Sequence, residues 1–251
     1  MSPFQELVKK EIYRFMSIWV LTIFGPVTTA ILYQLIFGAK LSSIPTGIPG
    51  VGYATFLIPG LVMMQVLLNA FGNGSSSLIQ SKYTGNIIFV LMAPISPLSI
   101  YMAFLVSSII RGIVVGLAVT ISIAAFGICW PKAWLALIYF LIFGAAITSG
   151  LGLIAGILCE KFDQLAGFQS FVIVPLIYLA GIFFSPGSFS GIWHVLAMLD
   201  PFLYIVDGFR YGFIAHADFN VVVGSLFVAV CAIGINLFGY TLMKRGINIK
   251  H

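Results

Sequence analysis

The sequence predicts an all-α polytopic membrane protein with six transmembrane helices, and three observations carry that prediction. Seven stretches of at least twenty residues contain no Asp, Glu, Lys or Arg: 15–39, 41–81, 83–110, 112–131, 133–159, 164–199 and 219–243. Only 8% of the 251 residues are charged and 61% are hydrophobic, more apolar surface than a soluble domain of this size can hide. Gly and Pro punctuate the joins at Ile44 to Gly52 (Pro45, Gly47, Pro49, Gly50), at Pro94 and Pro97, at Pro131, and at Ser185 to Gly191, where they end helices and start turns. A lipid-spanning helix needs about 20 mainly apolar residues, and its backbone donors must be satisfied within the segment.

The elements follow in order within one transmembrane domain. Residues 1–17 read as an amphipathic helix in the interface plane: Phe4, Leu7, Val8, Ile12 and Phe15 recur at helical spacing, with Lys9, Lys10 and Tyr13 elsewhere on the wheel. No short apolar core with a cleavage site follows a charged start, so they do not read as a signal peptide. Glu11 falls inside the apolar arc. Either it snorkels partly while pairing with Arg14, or it contacts a cytoplasmic partner. The bundle occupies 18–243, with spans at 18–38, 54–74, 98–128, 134–158, 168–185 and 220–243, and 244–251 forms a tail. Between spans five and six, two short helices are expected to dip into one leaflet as re-entrant elements. There Asp207 and Arg210, three apart, are placed to pair on one helix face.

Six spans put both termini on one side. That side holds Lys9, Lys10, Arg14, Lys82, Lys161, Lys244, Arg245 and Lys250, against Lys40, Lys132 and Arg210 on the other. The positive-inside rule makes the richer side cytoplasmic. The net charge of +5 therefore reflects this bias and contact with anionic headgroups, and implies no nucleic acid.

Several chemistries are disfavoured. No Gly-Lys dipeptide occurs, so the chain has no phosphate-binding loop of the G-x-x-x-x-G-K-[ST] kind. No H-E-x-x-H or G-x-S-x-G occurs, and His194, His216 and His251 have no carboxylate pattern beside them. Cys129, Cys159 and Cys231 are scattered, which suits packing rather than a metal site. No Asp or Glu falls inside an expected span, which weakens an ion-coupled carrier and a dedicated cation site. A stand-alone channel or carrier and a membrane scaffold remain the alternatives to a driven transporter.

Polar residues within the spans mark candidate working surfaces. Gln65, Asn69 and Asn73 lie four apart on the second span, placed either to glue helices together or to face a substrate. The first span carries a weaker version in Thr22, Pro26, Thr29 and Tyr33. Arg111, the one charge well inside a span, either pins helices or takes part in gating, with Ser107 a turn earlier as a partner. Gly144, Thr148, Gly152 and Gly156 form a small-residue face for close helix packing, within one chain or across a dimer. Residues 83–93 suit a short cytoplasmic helix closed by Pro94, either docked in a partner groove or lying on the membrane.

Three segments resemble the membrane permease subunit of bacterial ABC-2 type exporters. Lys10-Glu11-Ile12-Tyr13-Arg14-Phe15 is similar to the family's opening interfacial helix. Leu91-Met92-Ala93-Pro94-Ile95 is similar to its coupling-helix segment, and Asp200-Pro201-Phe202-Leu203-Tyr204 through Gly208-Phe209-Arg210-Tyr211-Gly212 to its C-terminal signature. The resemblance covers essentially the whole chain. It implies a permease in the bacterial inner membrane, working as a homodimer or two like halves, for an amphiphilic or lipid-linked substrate or drug. No cofactor is expected on this chain, since ATP and Mg²⁺ would sit on a separate ATPase subunit. Contact with that subunit falls to Lys82, Tyr83, Ile88, Phe89, Leu91 and Pro94, flanked by Glu11 and Arg14. Family spans one, two and five surround the route, which nominates Thr29, Tyr33, Gln65, Asn69, Asn73 and Tyr178. Arg111, Asp207 and Arg210 are left as structural or gating charges. Related chains often carry acids where this one has Ile87-Ile88-Phe89-Val90, so the docking surface here is expected to be more apolar.

Overall fold

A computed structural model describes residues 2–40, 46, 48–126, 130–185 and 191–246. Cys129, Pro45, Gly47, Lys250 and His251, all singled out above, lie outside the described residues, as does the side chain of Leu91. The described chain is helical throughout, with no strand.

Helix α1 (Pro3–Met16) starts on a reciprocal cap. The Ser2 hydroxyl accepts from the Gln5 N–H at 3.3 Å and the Ser2 N–H donates to the Gln5 side chain at 3.0 Å, satisfying two donors that a helix start leaves open. Helices α2 (Trp19–Lys40), α3 (Tyr53–Tyr83), α5 (Pro97–Ile123), α6 (Trp134–Leu158) and α11 (Val221–Arg245) are each long and apolar enough to cross a membrane. The sixth candidate span, Phe162–Leu179, is composite: α7 (Phe162–Phe168), a π turn over Gln169–Ile173, and α8 (Val174–Leu179). Pro175 sits at the start of α8 and lacks an N–H, which would clash with the carbonyl four residues back in a regular helix. The widened turn, where Val174 N–H reaches Gln169 O, absorbs the misfit. The short α4 (Ile87–Met92) links α3 to α5, and α9 (Ile192–Leu199) and α10 (Pro201–Ile214) meet at a 74° bend.

The expected six spans are present, with boundaries shifted in three of them. Span two was expected to end at residue 74, but α3 runs to Tyr83. At 31 residues it is about 46 Å long, well beyond the roughly 30 Å hydrocarbon core. Its polar end survives as helix because it is enclosed by other helices, and because Ser75 and Ser81 donate to the carbonyls of Phe71 and Ser77. The short helix expected over 83–93 is accordingly trimmed to Ile87–Met92. Span five starts at 162 rather than 168 and ends before a turn at Gly181, whose φ of 71° only glycine adopts readily. Span three ends at Ile123, followed by a 3₁₀ turn over Ala124–Phe126.

Helix α3 is the hub. It packs against α6 and α5 along most of its length, with α2 and α10 completing the ring; α11 lies on α6, and α1 lies across α5. The small-residue face of α6 is used within the chain. A Cβ placed on Gly152 would stand 2.4 Å from the Phe71 carbonyl oxygen, and one on Gly156 3.0 Å from that of Ser75. From the other side, a Cβ on Gly74 would meet the Ser149 carbonyl at 2.9 Å. Backbones this close contact each other directly, which gains dispersion energy where no hydrophobic force acts between helices in lipid. Gly152→Ala is predicted to cost about 1–3 kcal/mol by overpacking. Gly72→Ala, where a Cβ meets nothing within 4 Å, should be neutral or slightly stabilising. Thermal midpoints of both variants in one detergent check this.

Candidate functional site

Three features stand out between one end of the bundle and its middle: an open groove, a charged knot beneath it, and a polar cavity among three spans.

The groove lies between α1 and α4. It encloses about 470 Å³ and is lined by Pro3, Glu6, Leu7, Lys10, Asn86, Phe89, Val90, Ala93 and Ile95. A tight turn at Gly85 (φ 73°) swings the chain from α3 into α4. Ile87 anchors α4 inward at 4% exposure, while Phe89 (75%), Met92 (78%) and Tyr83 (81%) face outward. Ile88 and Pro94 are exposed too. The side chain of Lys82 turns inward instead. Its ammonium donates to the carbonyls of Gly156, Ile157 and Cys159 at 2.8–3.1 Å. It thereby caps the open C-terminal end of α6, where a cation also suits the helix dipole.

The charged knot joins α1 to α3 and α5. Glu11 is fully buried, so it does not snorkel. The expected pairing with Arg14 is present at 3.0 Å, and Ser77 of α3 donates to the same carboxylate oxygen. Arg14 continues to the Asn73 side-chain oxygen at 2.8 Å, and Arg111 reaches that oxygen from α5 at 3.4 Å. Asn73 donates to the Ser108 hydroxyl at 3.1 Å, which in turn donates to the Phe104 carbonyl at 2.7 Å. The bonds form one continuous chain from Glu11 to the Phe104 carbonyl, with the Arg111 Nε left without a partner. The serine expected beside Arg111, Ser107, bonds Phe104 instead; Ser108 is the one in the network. Ser77 was missed, although it continues the four-residue series 65, 69, 73.

The polar cavity of about 170 Å³ lies between α2, α3 and α8. It is lined by Thr29, Tyr33, Met64, Gln65, Leu68, Val174, Ile177 and Tyr178. Four residues nominated for the route therefore share one cavity. Thr29 spends its hydrogen on the Gly25 carbonyl at 2.9 Å and so presents an acceptor. Tyr33 and Tyr178 pack against Phe183 at 5.7 and 6.1 Å between ring centres. Asn69 donates to the Gln65 carbonyl, and Asn73 belongs to the knot. The polar stripe on α3 thus divides between cavity and knot.

Asp207 and Arg210 sit near the opposite end and do not pair with each other. The Asp207 carboxylate accepts from the N–H groups of Asp218 and Phe219 at 3.1 Å each. Arg210 is 1% exposed; it donates to the Gly181 carbonyl at 2.7 Å and stacks over the Phe56 ring at 3.9 Å. The two side chains share a helix but secure different loops, which their spacing alone could not show. Among the described residues no group of His, Cys, Asp and Glu is arranged to hold a metal.

Glu11→Gln removes the buried negative charge that pairs with the Arg14 guanidinium. It is predicted to cost about 3–5 kcal/mol, while Glu11→Gln with Arg14→Gln should recover part of the loss. A double-mutant comparison of thermal midpoints in detergent reads out both.

Residues 2–214 match the family model described as ABC-2 type transporter. The chain is 34% identical over 241 residues to the inner membrane transport permease YadH of Escherichia coli K12, covering 96% of this chain and 94% of that one. YadH of Shigella flexneri matches to the same extent. Nodulation protein J of Rhizobium leguminosarum bv. viciae is 26% identical over 204 residues, covering 75% of this chain and 73% of that one.

Proposed function

Because the chain belongs to the ABC-2 type transporter family and is an inner membrane transport permease rather than an enzyme, we propose that it is the membrane half of an ATP-driven exporter. In this reading two copies pair and each engages a separate ATPase subunit, which carries ATP and Mg²⁺. Both termini, α1 and α4 lie on the cytoplasmic side, in keeping with the eight basic residues expected there.

The observation that carries the proposal is the outward set of Phe89 and Met92 on α4 with Tyr83 at the end of α3, beside the α1 groove. Large apolar side chains held out over a groove at the basic end of a membrane protein suit the core of a protein–protein contact. They replace the charged surface expected of related chains. The ATPase would grip α4 and α1 together. Because the knot ties α1 to α3 and α5, a shift of that grip would be felt by the helix that lines the polar cavity. Such a push does work only if the ATPase binds the two permease states with different affinity.

The cavity between α2, α3 and α8 is the proposed route. Its lining offers phenols, an amide and a hydroxyl but no formal charge. That set suits an amphiphilic substrate, such as a drug or lipid-linked glycan, over a bare ion.

Phe89→Asp is predicted to abolish export and weaken capture of the ATPase subunit by roughly thirtyfold, the scale of an aromatic hot spot. The fold should be untouched because the side chain is 75% exposed. Transport assays in inverted vesicles, with co-purification from membranes, decide it. Undiminished export by this variant would remove the docking role, and transport by the purified chain alone in proteoliposomes would point to a stand-alone carrier.

A further inference from the structure

An almost wholly apolar recess lies away from the proposed route. It encloses about 400 Å³ between the second half of α5, the start of α6 and the end of α10. It touches α3 through Val62, whereas the polar cavity uses Met64, Gln65 and Leu68. All three bordering helix segments place it at the end of the bundle opposite α1. Its volume falls in the range of small-molecule sites, about 300–1,000 Å³.

The chemistry of the lining is narrow. Leu137, Phe209 and Phe213 form part of its wall, and the hydroxyl of Thr120 is already donated to the Gly116 carbonyl at 2.8 Å. An apolar space of this kind does not hold water. Leu117 and Ile121, also in the lining, are 56% and 76% exposed, so the recess opens on the outer surface of a span, where the solvent is lipid. Trp130 and Trp134 belong to the lining as well and are 86% and 57% exposed. Tryptophan pairs of this kind sit at the membrane–water interface with the ring in the acyl region and the N–H toward the headgroups. Between them in sequence, Lys132 is exposed and makes no ion pair among the described residues, its ammonium lying 3.5 Å from the Ile214 carbonyl.

We propose that this recess is a binding site for one anionic phospholipid of the leaflet opposite α1, with an acyl chain inserted between α5, α6 and α10 and the phosphate held by Lys132 and the two indoles. Three features select this occupant together: a dry apolar slot, an opening onto lipid, and a single cation that lies in sequence between two tryptophans of the lining. A neutral drug would use the slot but not the lysine, and a soluble anion would use the lysine but not the slot. Bound lipid would fill the space beneath α10, whose end is tied to the same corner by the Lys132 and Ala133 N–H bonds to the Gly212 carbonyl.

The test is native mass spectrometry of the full chain purified in a delipidating detergent and titrated with phosphatidylglycerol or phosphatidylcholine. The wild type should retain one phospholipid per chain and prefer phosphatidylglycerol by roughly fivefold, the scale of one lysine at an anionic surface. Thr120→Phe fills the slot and should lose the retained lipid. Lys132→Gln, an exposed change that the fold tolerates, should keep the stoichiometry and lose the preference. The proposal is overturned if the wild type retains no lipid, or if folded Thr120→Phe retains lipid as the wild type does. Should Thr120→Phe fail to fold, an unchanged preference in Lys132→Gln overturns it by itself.

Discussion

In lipid, a polar side chain or backbone group has only protein to bond to, and one helix of this chain carries most of that demand. Helix α3 holds Gln65, Asn69, Asn73, Ser75, Ser77 and Ser81 along its length, so it cannot sit at the rim. Placed at the centre, it finds every neighbour it needs. Ser75 and Ser81 return to its own carbonyls, Ser77 reaches Glu11 of α1, Asn73 reaches α5, and Gln65 faces a cavity closed by α2 and α8. The position of α3 then dictates what its neighbours must be. Helix α6 lies along it at a separation that only Gly152 and Gly156 permit, while Gly144 admits Ile205 of α10. The apolar spans are left to wrap the outside.

The two ends of this core are held by different means. At the α1 end, the fastening is a network of formal charges, with one carboxylate paired to Arg14 and the Arg14 and Arg111 guanidinium groups converging on one asparagine oxygen. A network of this kind has a defined geometry and tolerates little drift, because leaving any member unpaired in a low dielectric is costly. A force on α1 is therefore passed to α3 and α5 as displacement rather than lost in side-chain motion. At the other end, the bent pair α9–α10 is held mainly through backbone acceptors and donors. Asp200 caps α10 by accepting from Phe202, Arg210 holds Gly181, and Asp207 holds the 218–219 turn. Loops are clamped there against a helix, without a network of formal charges.

How much of this was legible in the sequence follows from the range of each interaction. Six spans could be counted because hydrocarbon thickness imposes a minimum apolar length, visible in any single segment. The overrun of α3 to Tyr83 could not, because whether a Ser-rich stretch stays helical depends on partners distant in sequence. The Glu11–Arg14 pair, three residues apart on one helix, was readable; the reach of Arg14 to Asn73, across 59 positions, was not. Asp207 and Arg210 show the reverse failure. Their spacing permits a pair, yet the backbone N–H groups of a turn and a carbonyl on another segment compete better for them. For the cavity, polar residues on spans one, two and five were identified individually, but the apolar members Met64, Leu68, Val174 and Ile177 look like any lipid-facing residue until the helices are assembled.

The outer faces of the spans are unequal, and that inequality bears on where a second copy belongs in the proposed assembly. Helix α11 turns its polar groups inward. Asn236 donates to the Ala146 carbonyl and accepts from the Tyr101 hydroxyl, while Val222, Val223, Leu226, Val230, Ile233, Leu237 and Phe238 face out. Such a face is complete against acyl chains. Helices α2 and α7–α8 are as little covered as α11, yet they leave Thr28, Thr29, Ser170 and Tyr178 exposed, Thr29 and Tyr178 among the lining of the polar cavity. Thr29 already bonds the Gly25 carbonyl and Tyr178 bonds Tyr33, but the acceptor sites left over find no donor in lipid, and a matching surface offers one. The same faces flank a cavity of about 170 Å³, below the range of sites for drug-sized ligands. Two such cavities brought together across α2 and α8 would approach that range. The polarity of the exposed faces and the size of the cavity thus ask for the same thing, a second protein surface on the α2–α8 side, with α11 left to the bilayer.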